Sequence, residues 1–167
     1  MKLIVAVDEK WGIGKDNDLL LSIPDDMRFF REKTRAAVLV MGYRTLLSFP
    51  GSKPLPKRRN IVIADIPDLQ IEGAEVCHSL SELFDLLREI DSDNIFVIGG
   101  GSIYRQLYPY CDTAYITKMG FDGEADTFIM NLDEEDGWSV TEQSEEKEYE
   151  GVRYRFVTYC NSAPKAI

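Results

Sequence analysis

The sequence predicts a single α/β domain: a mostly parallel central sheet of about eight strands, flanked by about four helices and finished by a C-terminal antiparallel hairpin. Three observations lead there. Continuous β-branched runs such as Leu3-Ile-Val-Ala-Val7 and Ile95-Phe-Val-Ile98 suit strands buried on both faces. Helical stretches alternate with these runs. The chain then closes on two strand-like segments, Trp138 to Glu142 and Val152 to Tyr159, joined across an acidic connection over Ser144 to Gly151. At 167 residues the chain fits one domain, 1–160, followed by a loose tail over 161–167.

Met1 to Val7 is the first strand, and its unbroken apolar run makes it a central one. Asp8 to Ile23 is a long connection holding Gly12, Gly14, Asp16, Asn17 and Asp18, and a loop of that length in a compact domain is usually a functional lid. Its apolar members Trp11, Ile13, Leu19, Leu20 and Leu21 are too many for a solvated linker, so they are expected to close over something. A helix follows to about Thr34, with Ser22 as its cap, Pro24 in the first turn and Asp25 three residues after the cap. Asp26 and Phe30 are four apart and share a face with Met27 beside them, which makes Asp26 a candidate for a carboxylate held against apolar groups. Such a carboxylate has a raised pKa and can handle protons near neutrality. Asp25 and Asp26 also complement the positive end of the helix dipole, and this stretch alone does not separate the two readings. Ala36 to Met41 is a second buried strand, and Gly42 opens a short helix over Tyr43 to Phe49.

Pro50 to Asn60 is a proline-rich loop carrying Lys57-Arg-Arg59, the one concentrated basic run. That run is either a solvated face or a place to receive a carboxylate. Ile61 to Ala64 and Ala74 to Cys77 are further strands, Ser79 caps an amphipathic helix to about Ile90, and Asp91 to Asn94 turns the chain back. Ile95 to Ile98 then runs into Gly99-Gly-Gly-Ser102 and a helix over Ile103 to Leu107. Glycines there let a ligand approach the backbone, and the free amides of a helix start suit a pyrophosphate. Without the G-x-G-x-x-G spacing, the same residues also read as a tight strand-helix turn. Thr113 to Lys118 is another strand and Gly120 to Thr127 an acidic loop. Ligands of such sheets bind outside the carboxyl ends of the strands, where Gly42, Gly99 and the long first loop all fall.

A formal net charge of -10 argues against a general nucleic-acid or anionic-membrane binder, and any anionic ligand must meet a local positive site. Cys77, Cys111 and Cys160 are odd in number and follow no C-x-x-C or zinc pattern, as expected of reduced thiols in a cytoplasmic protein without a metal site. No stretch approaches a membrane span. His78, the sole histidine, has no Ser or Cys nucleophile in an evident setting and reads as a surface residue rather than a catalytic base.

Several separated motifs recur in one order: Leu3-Ile-Val-Ala, Gly12-Ile-Gly-Lys-Asp-Asn17, Ile23-Pro-Asp-Asp26 with Phe30 and Thr34, Met41-Gly42 with Thr45, Pro54-Leu-Pro-Lys-Arg-Arg-Asn60, Ile98-Gly-Gly-Gly101 with Tyr104, Tyr115-Ile-Thr117, and Asp126-Thr127. Together they resemble the dihydrofolate reductases across almost the whole chain. The resemblance implies an oxidoreductase that moves a hydride from NADPH to 7,8-dihydrofolate, giving tetrahydrofolate for one-carbon metabolism. It implies that Asp26 is the lone acid, gripping the pterin's amino-pyrimidine edge beside Thr117 and promoting protonation through water. Ile4, Val5, Met27, Phe30, Phe49, Leu55 and Ile98 would line the substrate pocket, with Arg58 pairing the glutamate carboxylate. Ala6, Ile13, Ile98 and Tyr104 would surround the nicotinamide, and Gly14, Asn17 and Leu19 of the lid would also contact the cofactor. Gly42, Thr45, Gly99, Gly100 and Gly101 would cradle its phosphates, with Tyr43, Arg44, Ala64, Asp65, His78, Ser102 and Ile103 completing that surface. The Gly99-Gly100 bond is expected to be cis. The implied partners are dihydrofolate and antifolate-type inhibitors, bound by a monomer without nucleic-acid or membrane partners.

The chain departs from the family pattern twice. Leu20-Leu21 stands where the family usually has Pro-Trp, so an indole hydrogen bond to a site water is missing. Tyr43, Asp65, His78 and Ser102 stand where the family places cations or hydroxyls around the adenosine 2'-phosphate, which leaves Arg44 as the nearest cation and adds NADH as an expected second cofactor. Two rival functions share these residues: a reductase of the same fold acting on another pterin or a pyrimidine, and a nucleotide-binding module without catalysis. Arg58 favours a substrate with a carboxylate tail, and Asp26 on its apolar face favours catalysis.

Overall fold

A computed structural model describes residues 1–167. In chain order the strands are β1 (Lys2–Val7), β2 (Gly12–Gly14), β3 (Val38–Gly42), β4 (Arg59–Ile63), β5 (Ala74–Cys77), β6 (Ile95–Gly99), β7 (Thr113–Met119), β8 (Thr127–Phe128), β9 (Trp138–Gln143), β10 (Lys147–Tyr149) and β11 (Val152–Asn161). The α-helices are α1 (Pro24–Lys33), α2 (Tyr43–Leu47), α3 (Leu80–Leu87) and α4 (Gly101–Leu107). The main sheet runs β10-β11-β7-β1-β6-β3-β4-β5, with β9 pairing onto β11. From β7 to β5 every pairing is parallel; β11 turns antiparallel against β7, β9 and β10. The α/β architecture with its antiparallel finish is the one expected from the sequence.

Alternation along the parallel strands divides the apolar residues between two faces. Leu3, Val38, Val40, Ile61 and Val97 pack with Leu83, Leu87, Ile103 and Leu107 of α3 and α4. Their neighbours Ile4, Leu39, Met41, Val62 and Phe96 pack on the opposite side with Leu46 of α2 and with Phe29 and Phe30 of α1. Strands covered on both faces carry no polar alternation, which is why their sequences read as unbroken runs.

Four local expectations are corrected. The connection Asp8 to Ile23 is not free of structure: β2 lies within it and pairs with β8, which closes the acidic loop. Within the acidic connection near the C-terminus, β10 pairs with β11 as an outer strand, where charge on an edge discourages further pairing. Ser22 does not cap α1; the N-cap is Ile23, without a side-chain cap. Asp25 is engaged instead, accepting hydrogen bonds from Arg28 and from the Tyr154 hydroxyl, the latter at 2.9 Å. The tail expected to be loose is tied down by Asn161 N–H donating to the Asp112 carbonyl at 2.9 Å and Lys165 N–H to the Pro109 carbonyl at 2.8 Å, and Ile167 packs on the core.

Candidate active site

Helix α1 carries Asp26 in its first turn and meets β7 through Phe29, whose ring stands edge-on to Tyr115. Thr117, buried on β7, donates its hydroxyl to Asp26 Oδ1 at 2.6 Å across 91 positions of sequence. Burial pushes the Asp26 carboxyl up from its ordinary value; the Thr117 hydrogen bond opposes this and the charge of Asp25 reinforces it. Sequence spacing alone raised Asp26 as such a carboxylate. The environment decides against a purely dipolar role, because a group serving only the helix terminus gains nothing from desolvation.

The far end of α1 positions a cation. Thr34, fully buried at the helix C-cap, donates to the Phe30 carbonyl at 2.7 Å and accepts from Arg58 Nε at 3.1 Å. Arg58 also donates from Nε to the Thr34 carbonyl at 3.1 Å and from Nη1 to the Pro56 carbonyl at 3.0 Å. Buried Asn60 staples the loop behind it, donating to the carbonyls of Leu55 and Arg58 and accepting from Leu55 N–H. Arg58 is thus held in place by neutral oxygens and forms no ion pair, whereas Arg59 is spent on Glu75 through contacts of 2.6 and 2.8 Å. The basic run therefore divides: Arg58 is an oriented, uncompensated cation and Arg59 a surface partner. Burial, then Arg31, pulls the Arg58 pKa down, and a guanidinium still remains charged at neutral pH.

At the carboxyl ends of β3 and β6 the chain is bare. The Gly99-Gly100 bond is cis, as the resemblance implied. Gly99 has φ +124, a conformation open to glycine, and a Cβ there or at Gly100 would stand 3.4 Å from the Thr45 hydroxyl. One hydroxyl and two exposed backbones therefore face the same small space, followed by the unpaired amides that begin α4. That arrangement fits a phosphate-bearing cofactor. The Tyr104 hydroxyl, buried, donates to the Ile4 carbonyl at 2.8 Å and so links α4 to β1.

The expected lining residues fall into adjoining groups. Phe30, Tyr43, Phe49, Leu55 and Ile98 pack around Ile4 and Ala64. Val5, Ile13, Ile103 and Tyr104 belong to the opposite core, and Ala6 packs with Ile23, Leu21 and Met119. Met27 and Leu19 stand partly in solvent, 38% and 57% exposed. The lid touches α2 through Asn17 Nδ2, which donates to the Arg44 carbonyl at 3.4 Å. Around the same rim Arg44 and Asp65 form no ion pair, the Ser102 hydroxyl accepts from Gln106 at 2.8 Å, and exposed His78 meets the Ala64 carbonyl through Nδ1 at 3.0 Å. Not all lid apolar residues close over a site: Trp11 is buried in the core edge-on to Tyr159.

Sequence reasoning missed Asp8. Its buried carboxylate accepts from the backbone N–H groups of Lys10, Gly12 and Gly123 at 2.8 to 3.0 Å, pinning the lid's entry to the acidic loop. Asp126 does the same farther along, accepting from Asp16 N–H at 2.9 Å. The signal available for Asp8 was an acid directly after a buried strand and four residues before a glycine.

A sequence model of the family described as dihydrofolate reductase matches residues 1–161. A dihydrofolate reductase of Bacillus subtilis (strain 168) is 35% identical over 161 residues, 95% of this chain and 93% of that protein. One from Enterococcus faecium is 40% identical over 129 residues, 77% of this chain and 76% of that one. Among solved structures, dihydrofolate reductase from Enterococcus faecalis complexed with NADP(H) and RAB-propyl superposes with a TM-score of 0.85 at 33% identity, covering 96% of this chain and 95% of that one.

Proposed function

Because the chain belongs to the dihydrofolate reductase family, we infer that its own residues carry out the NADPH-dependent reduction of 7,8-dihydrofolate to 5,6,7,8-tetrahydrofolate. The observation that carries the residue assignment is the half-buried Asp26 carboxylate, its pKa raised by desolvation, on the buried Thr117 hydroxyl. NADPH supplies the hydride. Asp26 accepts from the amino-pyrimidine edge of the pterin and keeps a proton available to the ring nitrogen beside the carbon being reduced, through water at the pocket mouth. Thr117 fixes the carboxylate's orientation. Phe30, Phe49, Leu55 and Ile98, with Ile4, Val5 and Met27, hold the pterin and benzoyl rings, and Arg58 pairs with the glutamate carboxylate. Ala6, Ile13, Gly14, Asn17, Leu19 and Tyr104 border the nicotinamide, while Gly42, Thr45, Gly99, Gly100 and Gly101 admit the phosphates. The same pocket takes antifolate-type inhibitors. We assign residues 1–160 to one catalytic domain working as a cytoplasmic monomer; the free thiols Cys77, Cys111 and Cys160 support a reducing setting. Dihydrofolate-dependent oxidation of NADPH, followed by absorbance, tests the function, and no turnover of dihydrofolate by folded protein would contradict it.

Discrimination between cofactors is expected to be modest. A 2'-phosphate carries about -1.5 to -2 charges near neutrality and calls for cations or hydroxyl donors. Each charge-assisted bond to it is worth roughly 1.5 to 3 kcal/mol, so two missing bonds remove about 3 to 6 kcal/mol, or 10²- to 10⁴-fold of preference. Tyr43 and Ser102 supply no cation, and exposed Asp65 just past β4 repels a phosphate and suits a ribose 2'-hydroxyl. Arg44 opposes them from the first turn of α2. The kcat/KM ratio of NADPH to NADH should lie below about 10³ in the parent and rise in Asp65→Ser. A higher parent ratio, or no rise in the variant, would refute the role given to Asp65.

A further inference from the structure

The first turn of α1 carries two adjacent carboxylates, and hydroxyls from one strand pair hold both. In the antiparallel register of β7 and β11, Thr117 stands opposite Phe156 and Met119 opposite Tyr154, so these four side chains share a face. Helix α1 lies against that face. Phe29 stacks on Phe156 with ring centroids 4.4 Å apart, Asp26 accepts from Thr117 at 2.6 Å, and Asp25 accepts from Tyr154 at 2.9 Å. The proton chemistry uses Asp26 alone and leaves Asp25 unexplained. Both oxygens of Asp25 are nonetheless taken, Oδ1 by Arg28 and Oδ2 by Tyr154. An acid serving only the helix dipole needs neither partner. Buried Tyr154, brought from 129 positions away, fixes Asp25 next to Asp26, while Arg28 reaches it from solvent with its side chain 62% exposed against 24% for Asp25.

The other groups packed near Asp26 bring no charge to it. Thr117 of β7 is a neutral hydroxyl, and so is Tyr104 of α4, which donates to the Ile4 carbonyl. Lys118, the next residue of β7, pairs with Asp133 and lies over the rings of Trp11 and Tyr159. Lys33 of α1 lies over the rings of Phe29 and Tyr115. Burial raises the Asp26 pKa, the Thr117 hydrogen bond lowers it, and Asp25 is the one charge that adds to the rise. We propose that Asp25 is a positioning residue for the reaction: clamped by Tyr154 and Arg28, it keeps a fixed negative charge beside the catalytic carboxyl and so makes Asp26 retain the proton that the pterin needs.

That role rests on Asp26 serving dihydrofolate reduction, and a titration of Asp26 needs no turnover, so the two can fail separately. The Asp26 carboxyl is titrated by carbon NMR in the parent, in Asp25→Asn and in Arg28→Gln, beside the pH dependence of hydride transfer in each. Asparagine still accepts from Tyr154, so Asp25→Asn keeps the helix in place and removes only the charge. Its Asp26 midpoint should move to lower pH, and on the alkaline side, where the rate follows the protonated fraction, hydride transfer should be roughly 2- to 10-fold slower than in the parent. Arg28→Gln leaves the Asp25 charge without its counterion, so the midpoint should move to higher pH and the alkaline rate should rise. In an Asp26→Asn background, Asp25→Asn should leave the rate unchanged at every pH. A midpoint that stays put in Asp25→Asn, one that moves the same way in both single variants, or a rate loss that persists in the Asp26→Asn background would overturn the role of Asp25. Absence of dihydrofolate turnover in the parent would overturn the activity, and the titrations would still decide Asp25.

Discussion

Asp26→Asn should lower dihydrofolate turnover by roughly 10²-fold or more, the usual range for a general acid-base group, with cofactor affinity nearly unchanged. Asparagine preserves the shape and can still accept from Thr117, so the loss isolates the proton. Two observations single out this residue: the carboxyl is half-buried, and loss of solvent raises its pKa, while exposed His78 lies against the Ala64 carbonyl, giving no competing base in the pocket. Near-normal turnover of the variant at neutral pH would remove Asp26 from the mechanism. The same substitution should raise stability. A carboxyl whose folded pKa exceeds its unfolded value binds more protons in the folded state, so its contribution to stability falls as pH rises through that window and stays low above it. Asp26→Asn is therefore expected to melt higher than the parent at neutral pH, with the gap narrowing below the unfolded carboxylate pKa of about 3.9. Activity and stability thus move in opposite directions, which a simple folding defect cannot produce.

The second large effect is expected at Arg58. A guanidinium has five N–H donors; three serve the carbonyls of Thr34, Pro56 and, at 3.4 Å, Arg31. One N–H on each terminal nitrogen remains, the pair that a carboxylate accepts side by side. Arg58→Leu should weaken dihydrofolate by about 1.5 to 3 kcal/mol, roughly 10- to 100-fold, seen mainly in KM. Lysine lacks the planar fork, so Arg58→Lys should recover only part of the loss. Arg59→Leu serves as the control, because that side chain is already paired with Glu75 on the surface. If Arg59→Leu raised KM more than Arg58→Leu, the tail-binding cation would be misassigned by one residue.

What was legible in the sequence follows from what each signal encodes. The parallel strands announced themselves because both faces are buried, and Asp26 because helical spacing sets it on the face of Phe30. The division between Arg58 and Arg59 could not be read from a run of three basic residues; it depends on Thr34, Asn60 and Glu75, each brought in by a different element. The pair of Thr117 with Asp26 is invisible to local periodicity, and family resemblance alone brought it forward. β2, β8 and β10 were missed because strands of two or three residues have too few positions to show alternation, and β10 is acidic besides. The cap at Ser22 did not form; Asp25, the acid expected to complete it, is taken by Arg28 one turn along the same helix and by Tyr154 from β11. Asp8 went unnoticed because its partner Gly123 lies 115 positions away.

The most direct measurement is the titration of the Asp26 carboxyl itself, by isotope-edited infrared or carbon NMR spectroscopy, beside the pH dependence of hydride transfer in the same protein. The expected midpoint lies above the ordinary aspartate value of about 3.9, and the rate should fall as pH rises through that same midpoint, a limb absent from Asp26→Asn. A midpoint at or below the ordinary value, or a rate limb that persists unchanged in Asp26→Asn, would contradict Asp26 as the desolvated acid that serves the pterin.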